Sequence, residues 1–86
     1  MQNADTENVS KQARGEVVRN RLLDAVEALL QNTDASQLKV SEVLHSAGVA
    51  RDTLYHHFRD LEELAEVAML RTFARNILVD VQRINQ

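Results

Sequence analysis

Apolar residues recur at helical spacing over most of the chain. Val18, Leu22, Val26 and Leu29 follow one another at steps of three or four positions. At that spacing their side chains share one face of an amphipathic helix, and the residues between them are largely polar or charged. The pattern therefore predicts a first helix over about 13–31, followed by a short polar loop.

Two shorter helical patterns follow, one on each side of a glycine. A second helix is predicted from about residue 40 to residue 46, and a third from about residue 51 to residue 57. The residues expected to form their buried faces are Val40, Val43, Leu44, Ala47, Leu54 and Phe58. Gly48 lies between the two helices and permits the positive backbone angle of a sharp turn. Two short helices joined in this way have the geometry of a helix-turn-helix.

The last pattern is the longest and predicts a fourth helix from about residue 61 to residue 83. Asp60 precedes it and is expected to cap its N-terminus. The first half has a single apolar stripe, formed by Leu61, Leu64, Ala65 and Ala68. The second half is apolar over a wider arc, formed by Met69, Leu70, Phe73, Ala74, Ile77, Leu78, Val81 and Ile84. A three-helix domain is too small to cover that arc.

The predicted fold is therefore all-α, with a three-helix, homeodomain-like helix-turn-helix domain and a long fourth connecting helix. The domain is assigned to residues 13–60, and the helix-turn-helix motif to about 39–58. Residues 1–12 contain almost no apolar side chains and are expected to form a flexible N-terminal tail. Residues 61–86 are assigned to the fourth helix.

The composition excludes several classes of site and of protein. The 86 residues include no cysteine, which rules out disulfides, zinc-thiolate sites and a cysteine nucleophile. No stretch approaches the roughly 20 apolar residues that cross a membrane, and the polar N-terminus does not resemble a secretion signal. These features predict a cytoplasmic protein without membrane contact.

The net charge of −3 is unfavourable for binding nucleic acid, but the charges are unevenly distributed. Residues 11–21 contain four basic side chains and one acidic one, whereas residues 60–86 contain more acidic than basic side chains. This asymmetry allows a basic patch that faces DNA within an acidic chain.

A wider set of residues resembles the TetR family of repressors. The resemblance depends on Ala-Gly-Val at 47–49, Thr-Leu-Tyr at 53–55, His-His-Phe at 56–58 and Glu-Glu-Leu at 62–64. It covers roughly residues 14–69. The resemblance implies a cytoplasmic, nucleoid-associated protein that binds double-stranded DNA at a palindromic operator as a homodimer. It also implies a larger C-terminal domain for dimerisation and for a small-molecule inducer, so residues 61–86 are expected to begin a missing or truncated domain of this kind.

Candidate DNA contacts follow from the third helix and from cations near it. The predicted DNA-binding residues are Arg14, Lys39, Ser41, Arg51, Asp52, Thr53, Tyr55 and His56. Arg51 can donate two hydrogen bonds to guanine O6 and N7. Asp52 can accept from cytosine N4, although a favourable interaction with the helix dipole is the preferred interpretation. Thr53 can contact a phosphate or a thymine methyl group.

The remaining candidates are expected to contact the DNA backbone. Tyr55 and His56 match phosphate-contacting positions of the family, and His57 is expected to pack at the helix end. Lys39 and Ser41, at the start of the second helix, can each meet a phosphate. Arg14, together with Lys11, can reach the backbone or the minor groove as part of an arm. For Tyr55 the alternative is a buried ring with a satisfied hydroxyl, which is compatible with a phosphate contact. For the other candidates the alternative is an ordinary solvent-exposed role.

The chain departs from the family pattern at three positions. Ala50 and Lys39 stand where serine and threonine usually cap helices, although Glu42 can supply half of a capping box. Leu61 stands where a lysine commonly meets the DNA backbone. Together with the acidic balance, these departures support an alternative function, a protein-interaction module on a helix-turn-helix scaffold with weak or no DNA binding.

No arrangement in the sequence predicts catalysis or a bound cofactor. Glu62 and Glu63 are adjacent on a helix and point in different directions, so they do not form a catalytic pair. Asp52 and His56 share a helix face but provide too few ligands for tight metal binding. The chain is therefore expected to be neither an enzyme nor a metalloprotein.

Overall fold

The computed structural model describes the backbone of residues 2–84 and the side chains of residues 14–80. Its helices are α1 (Gln2–Leu30), α2 (Val40–Ala47), α3 (Arg51–His57) and α4 (Leu61–Ile84), with a 3-10 turn at Ala35–Gln37 between α1 and α2. No strand occurs in the described backbone. The predicted all-α class, with a helix-turn-helix domain and a long fourth helix, is confirmed.

The first helix begins much earlier than the sequence pattern predicts. α1 starts at Gln2, so helical backbone includes residues 2–12, and the expected start near residue 13 is wrong. No proline and no glycine occur before Gly15, so no residue of this segment interrupts helical backbone. Helical geometry does not measure mobility, so the flexible tail stays a prediction. The side chain of Lys11 lies outside the described residues.

The hydrophobic core is formed by side chains from all four helices. Fully buried leucines come from α1, α3 and α4, at Leu22, Leu54 and Leu64 respectively, and Val43 contributes from α2. The other buried residues are Leu23, Ala25, Val26, Phe58, Ala65 and Ala68. Apart from Leu23 and Ala25, each of these positions lies on an apolar face that the sequence pattern identifies. The core therefore fixes α3 against α1 and α2.

The turn between α2 and α3 depends on the backbone angle of one glycine. Gly48 adopts a left-handed conformation, with φ 67° and ψ 40°. Its N–H donates to the carbonyl oxygen of Leu44 at 2.9 Å, and the N–H of Val49 donates to the same oxygen at 3.2 Å. A Cβ atom at Gly48 would meet nothing within 4 Å, so there is room for a side chain. The position favours glycine because its positive φ angle is unfavourable for other residues. The predicted helix-turn-helix turn is confirmed.

The start of α4 is capped as predicted by Asp60. The carboxylate of Asp60 accepts a 2.8 Å hydrogen bond from the N–H of Glu63, and Glu63 in turn accepts one from the N–H of Arg59 at 2.9 Å. The bond from Glu63, together with the side chain and charge of Arg59, holds the pKa of Asp60 below its ordinary value. These two bonds tie the segment between α3 and α4 to the first turn of α4.

An ionic cluster joins the middle of α4 to α1. The guanidinium of Arg71 donates to Asp24 at 2.6 Å and also to Glu27. Glu27 accepts a further bond from the hydroxyl of Thr72 at 2.5 Å and lies 3.7 Å from the guanidinium of Arg75. Partial burial opposes ionisation of Glu27, but the bonds from Arg71 and Thr72 outweigh it and lower its pKa. The cluster therefore holds α4 against α1 in addition to the apolar core.

From Met69 onward, the large apolar side chains in the described part of α4 are exposed. Leu70, Phe73 and Leu78 are 66%, 63% and 61% exposed, and Met69, Ile77 and Val79 are also exposed. The prediction that the small domain leaves this arc uncovered is confirmed for these residues apart from Val79, which is not part of the predicted arc. Val81 and Ile84, assigned to the same arc, have side chains outside the described range. None of the described helices is both long and apolar enough to cross a membrane.

Candidate nucleic-acid interface

The third helix has one buried face and one face open to solvent. Leu54, in the middle of α3, is fully buried, and Phe58, four positions later, is almost fully buried. The predicted DNA-binding residues Arg51, Asp52, Tyr55 and His56 are exposed, and Thr53 is half-buried. Spacings of one, four and five positions place the exposed set on one side of the helix. The structure therefore brings these four predicted residues together on one surface.

The side chains at the start of α3 are available for contacts outside the chain. Ala50 is the N-cap residue and makes no side-chain capping bond. Within the described residues, Arg51 and Asp52 make no hydrogen bond or ion pair. Asp52 lies in the first helical turn, where its charge interacts favourably with the helix dipole. The guanidinium N–H donors of Arg51 are therefore exposed, and no carboxylate within the described residues pairs with them.

The later residues of α3 present different chemistry. The ring of Tyr55 is partly packed but 45% exposed, an arrangement that allows it to pack and to donate from its hydroxyl at the same time. His56 is exposed beside it in sequence. Both are groups that can donate hydrogen bonds to phosphate oxygens.

The other predicted contacts lie outside α3. Lys39 is the N-cap residue of α2 and Ser41 lies in its first turn, and both are exposed. Lys39 forms no side-chain capping bond, and among the described residues the carboxylate of Glu42 accepts no hydrogen bond from the N–H of Lys39, so the half capping box expected from Glu42 is not formed. Arg14 is exposed on α1, roughly two turns before Leu22. Its part in a DNA-binding arm stays a prediction.

A cation on α1 lies beside the end of α3; it belongs to the basic segment 11–21 but is not among the DNA-binding residues predicted from the sequence. The guanidinium carbon of Arg19 lies over the ring of Phe58, 5.2 Å from its centroid, in a cation–π contact. Next to Phe58, the half-buried ring of His57 meets the ring of His56 edge to face, with centroids 5.3 Å apart and an interplanar angle of 86°. The sequence signal for Arg19 is weak, because its position three residues before Leu22 shows only that it borders the buried stripe of α1.

Burial and neighbouring cations lower the pKa of His57. Desolvation is the largest cause, followed by the charges of His56 and Arg19. The half-buried ring agrees with the prediction that His57 packs at the helix end. Because its pKa lies below the ordinary 6.5, His57 is mainly neutral at neutral pH.

The next cation along the chain is compensated within the protein. Arg59 lies 3.3 Å from the carboxylate of Asp60 and 4.0 Å from that of Glu63. Leu61, which occupies the position of a family lysine, is half-buried and packs against the hydrophobic core. The exposed cationic surface therefore comes from α1, the start of α2 and α3, and not from the start of α4.

Comparisons with known proteins agree with this geometry. Residues 22–68, which span α1 from its first buried residue through the buried part of α4, match the model of the bacterial regulatory proteins of the tetR family. The HTH-type transcriptional regulator AlkX of Mycobacterium tuberculosis (strain ATCC 25618 / H37Rv) is 38% identical over 64 residues, which cover 74% of this chain and 29% of AlkX. The uncharacterized HTH-type transcriptional regulator Rv1255c of the same strain is 32% identical over 71 residues, which cover 79% of this chain and 35% of that protein.

The chain thus spans about a third of the length of the curated relatives it matches. No solved structure matches it significantly. The matched region contains the whole helix-turn-helix and the buried residues of all four helices. The chain belongs to the tetR family of bacterial regulatory proteins.

Proposed function

We propose that the protein is a sequence-specific transcriptional regulator that binds double-stranded DNA through α3. The observation that supports this most strongly is the division of α3 into two faces. Leu54 and Phe58 fix the helix to the core, whereas Arg51, Tyr55 and His56 are exposed. An α-helix that is held rigidly from behind can enter the major groove, which is about 12 Å wide.

Direct base contact is assigned to the start of α3. Arg51 is the exposed side chain best suited to distinguish bases, because its guanidinium can bind O6 and N7 of guanine together. Tyr55, His56, Lys39 and Ser41 surround this position with groups that suit phosphates. Such contacts fix the orientation of the protein on the duplex and supply most of the affinity.

The finer features of the function are also proposals. We infer that the complete protein represses transcription in the cytoplasm and binds a palindromic operator as a homodimer. Each half-site would be contacted by one α3 helix. A small-molecule inducer is part of the proposal only where a C-terminal domain follows, and the greater length of the curated relatives leaves room for one. The exposed apolar arc of α4 suits a connection to such a domain.

Replacing Arg51 with alanine tests the proposed base contact. In the Arg51→Ala variant we expect the preference for one base pair in each half-site to fall by about 1–3 kcal/mol, because the two hydrogen bonds to guanine are lost. The measurement is a selection from a random duplex library, followed by competition binding with single-base variants of the selected site.

Lys39→Ala is the matched control for this experiment. Because Lys39 is assigned to a phosphate, its loss should weaken binding to all duplexes by a similar factor and reduce the salt slope by roughly one unit. Base preference that is unchanged in Arg51→Ala would refute the assignment of Arg51 as a base-contacting residue.

A second function is favoured by a different observation. The exposed residues Leu70, Phe73 and Leu78 on α4 form an apolar surface that suits a protein partner. In that case the helix-turn-helix would be a scaffold for a protein-interaction module, and α3 would bind DNA weakly or not at all. Binding of a selected duplex in preference to a random one would contradict this alternative.

A further inference from the structure

Lys39 differs in its chemistry from every other cation that the structure describes. It is the single lysine among the described side chains, because the only other lysine of the sequence, Lys11, lies outside that range. Its side chain is exposed at the start of α2, shortly after the exposed segment 34–37. Within the described residues its ammonium makes no hydrogen bond and no ion pair, whereas Arg59 and Arg71 are paired with carboxylates. Lys39 therefore presents an accessible amine.

The positive charge of Lys39 does not stabilise the fold. Lys39 is the N-cap residue of α2, and its side chain forms no capping bond. A cation at this end of a helix lies near the positive end of the helix dipole, which is an unfavourable interaction. Glu42, the acidic residue of the first turn, forms no ion pair with it among the described residues. The charge is thus available for binding a phosphate and is not needed for folding.

We propose that Lys39 is an acetylation site, at which transfer of an acetyl group from an acyl phosphate lowers the affinity of the protein for DNA. The inference rests on the proposed function, in which Lys39 contacts a backbone phosphate. Acetylation converts the ammonium into a neutral amide, so the attraction to the phosphate is lost while the helix-turn-helix keeps its fold. This control acts on α2 itself and does not require a C-terminal domain.

The transfer is a substitution at the carbonyl carbon of the acetyl group. The ammonium of Lys39 first releases a proton to the solvent, which leaves a neutral Nζ with a free electron pair. Nζ attacks the carbonyl carbon of acetyl phosphate, and a bond between nitrogen and carbon forms. The bond from that carbon to the bridging oxygen breaks, and phosphate leaves with the electron pair and takes up the proton that the nitrogen then loses. Arginine side chains do not compete, because the guanidinium remains protonated.

The acetylation site is tested with acetyl phosphate and the unmodified protein, followed by peptide mass spectrometry. Lys39 should react in the folded protein at a rate comparable with its rate in urea, because folding leaves its side chain exposed. The tightest duplex recovered by selection from a random library should slow this reaction, since a bound phosphate covers the amine. An amine that reacts only in urea, or a rate that the bound duplex leaves unchanged, would overturn the proposal.

The effect on DNA binding is measured by comparing each protein before and after treatment with acetyl phosphate. The unmodified protein should lose affinity by about 5- to 10-fold at about 0.1 M salt for each acetylated Lys39 in the complex, and its salt slope should fall by roughly one unit. The base preference should stay the same, because a phosphate contact carries no sequence information.

Two variants separate Lys39 from the other amines of the chain. Lys11→Arg leaves Lys39 as the only lysine, and its affinity should fall on treatment as it does in the unmodified protein. Lys39→Arg keeps a cation at the start of α2 but forms no acetyl-lysine there, so its affinity should be the same before and after treatment. An equal fall in Lys39→Arg would assign the effect to another amine and refute the role of Lys39.

Urea denaturation of the acetylated protein tests whether the fold is retained. Acetylated and untreated protein should be equally stable, or the acetylated form slightly more so, because the charge that is removed lies at the unfavourable end of α2. Unfolding on acetylation would explain the loss of DNA binding without a phosphate contact and would contradict the proposal.

The outcomes distinguish the proposal from the function on which it rests. If the untreated protein binds a duplex and acetylation of Lys39 leaves the affinity unchanged, the proposal is refuted and the proposed function stands. If the untreated protein binds no duplex even at low ionic strength, both are refuted.

Discussion

Replacing Leu54 with alanine is expected to destabilise the protein by about 2–5 kcal/mol, because the cavity left in a packed core adds to the lost burial of the side chain. Leu54 is fully buried in the middle of α3 and is one of the residues that fix this helix to α1 and α2. Since a small domain has a free energy of unfolding near 5 kcal/mol or a little more, the variant should be largely unfolded or close to it at 37 °C. Urea denaturation followed by circular dichroism measures the change.

Leu70→Ala is the matched control for Leu54→Ala. It makes the same chemical change on α4 at a side chain that is 66% exposed, and its effect should remain within about 0.5 kcal/mol. Equal losses of stability in the two variants would show that α3 is not fixed to the core as the structure describes. If Leu54→Ala binds DNA more weakly and Leu70→Ala does not, the loss of DNA binding results from unfolding.

Replacing Arg71 with alanine is expected to have the second largest effect, lowering the free energy of unfolding by about 2–3 kcal/mol. Arg71 bonds to both Asp24 and Glu27, and the Glu27 side chain is only 18% exposed. Removing one partner of a buried ion pair costs about 3–5 kcal/mol, and the partial exposure of this cluster reduces that figure. Urea denaturation of Arg71→Ala, Glu27→Ala and the double variant gives the coupling energy between the two side chains.

Arg75→Ala tests whether the effect is specific to Arg71. Its guanidinium is 58% exposed and lies 3.7 Å from Glu27, so its removal should cost less than about 1 kcal/mol. A coupling energy near zero between Glu27 and Arg71 would contradict the assigned role of the cluster.

The cluster also makes a prediction about pH. Because the pKa of Glu27 is lowered in the folded protein, its contribution to stability is complete above its ordinary value of 4.5 and is lost as pH falls through the lowered pKa. The difference in stability between the unmodified protein and Arg71→Ala should therefore decrease below about pH 4.

The core and the turn could be predicted from the sequence because their signals are local. The buried residues Leu22, Val26, Val43 and Leu64 recur at helical spacing, so each helix shows its inner face without reference to the others. Gly48 is likewise identified by its place between two short helical patterns. The exposed face of α3 follows from the same periodicity, since the residues between buried positions must point away from the core.

Other features depend on which helices meet, and the sequence pattern does not contain that information. Arg19 contacts Phe58, and Arg71 contacts Glu27, across separations along the chain that periodicity does not link. The early start of α1 was missed for a different reason. A stretch without apolar residues gives no periodic signal, although its residues are compatible with a helix that continues from the packed segment.

The exposed apolar arc on α4 bears on the proposed dimerisation and inducer control. Its presence was expected from the sequence, and Leu70, Phe73 and Leu78 are exposed. The curated relatives are about three times as long as the region they share with this chain. Dimerisation and control by an inducer are therefore assigned, as proposals, to structure beyond the helix-turn-helix.

The most direct test of the central claim is a salt titration of DNA binding by fluorescence anisotropy. The duplex is the tightest one recovered from the random library, and a scrambled duplex of the same composition serves as the control. We expect the selected duplex to bind more tightly at every salt concentration, with a slope of log affinity against log salt of about −0.9 for each phosphate contacted. Failure to bind either duplex, even at low ionic strength, would contradict the claim that the protein acts through α3 on DNA.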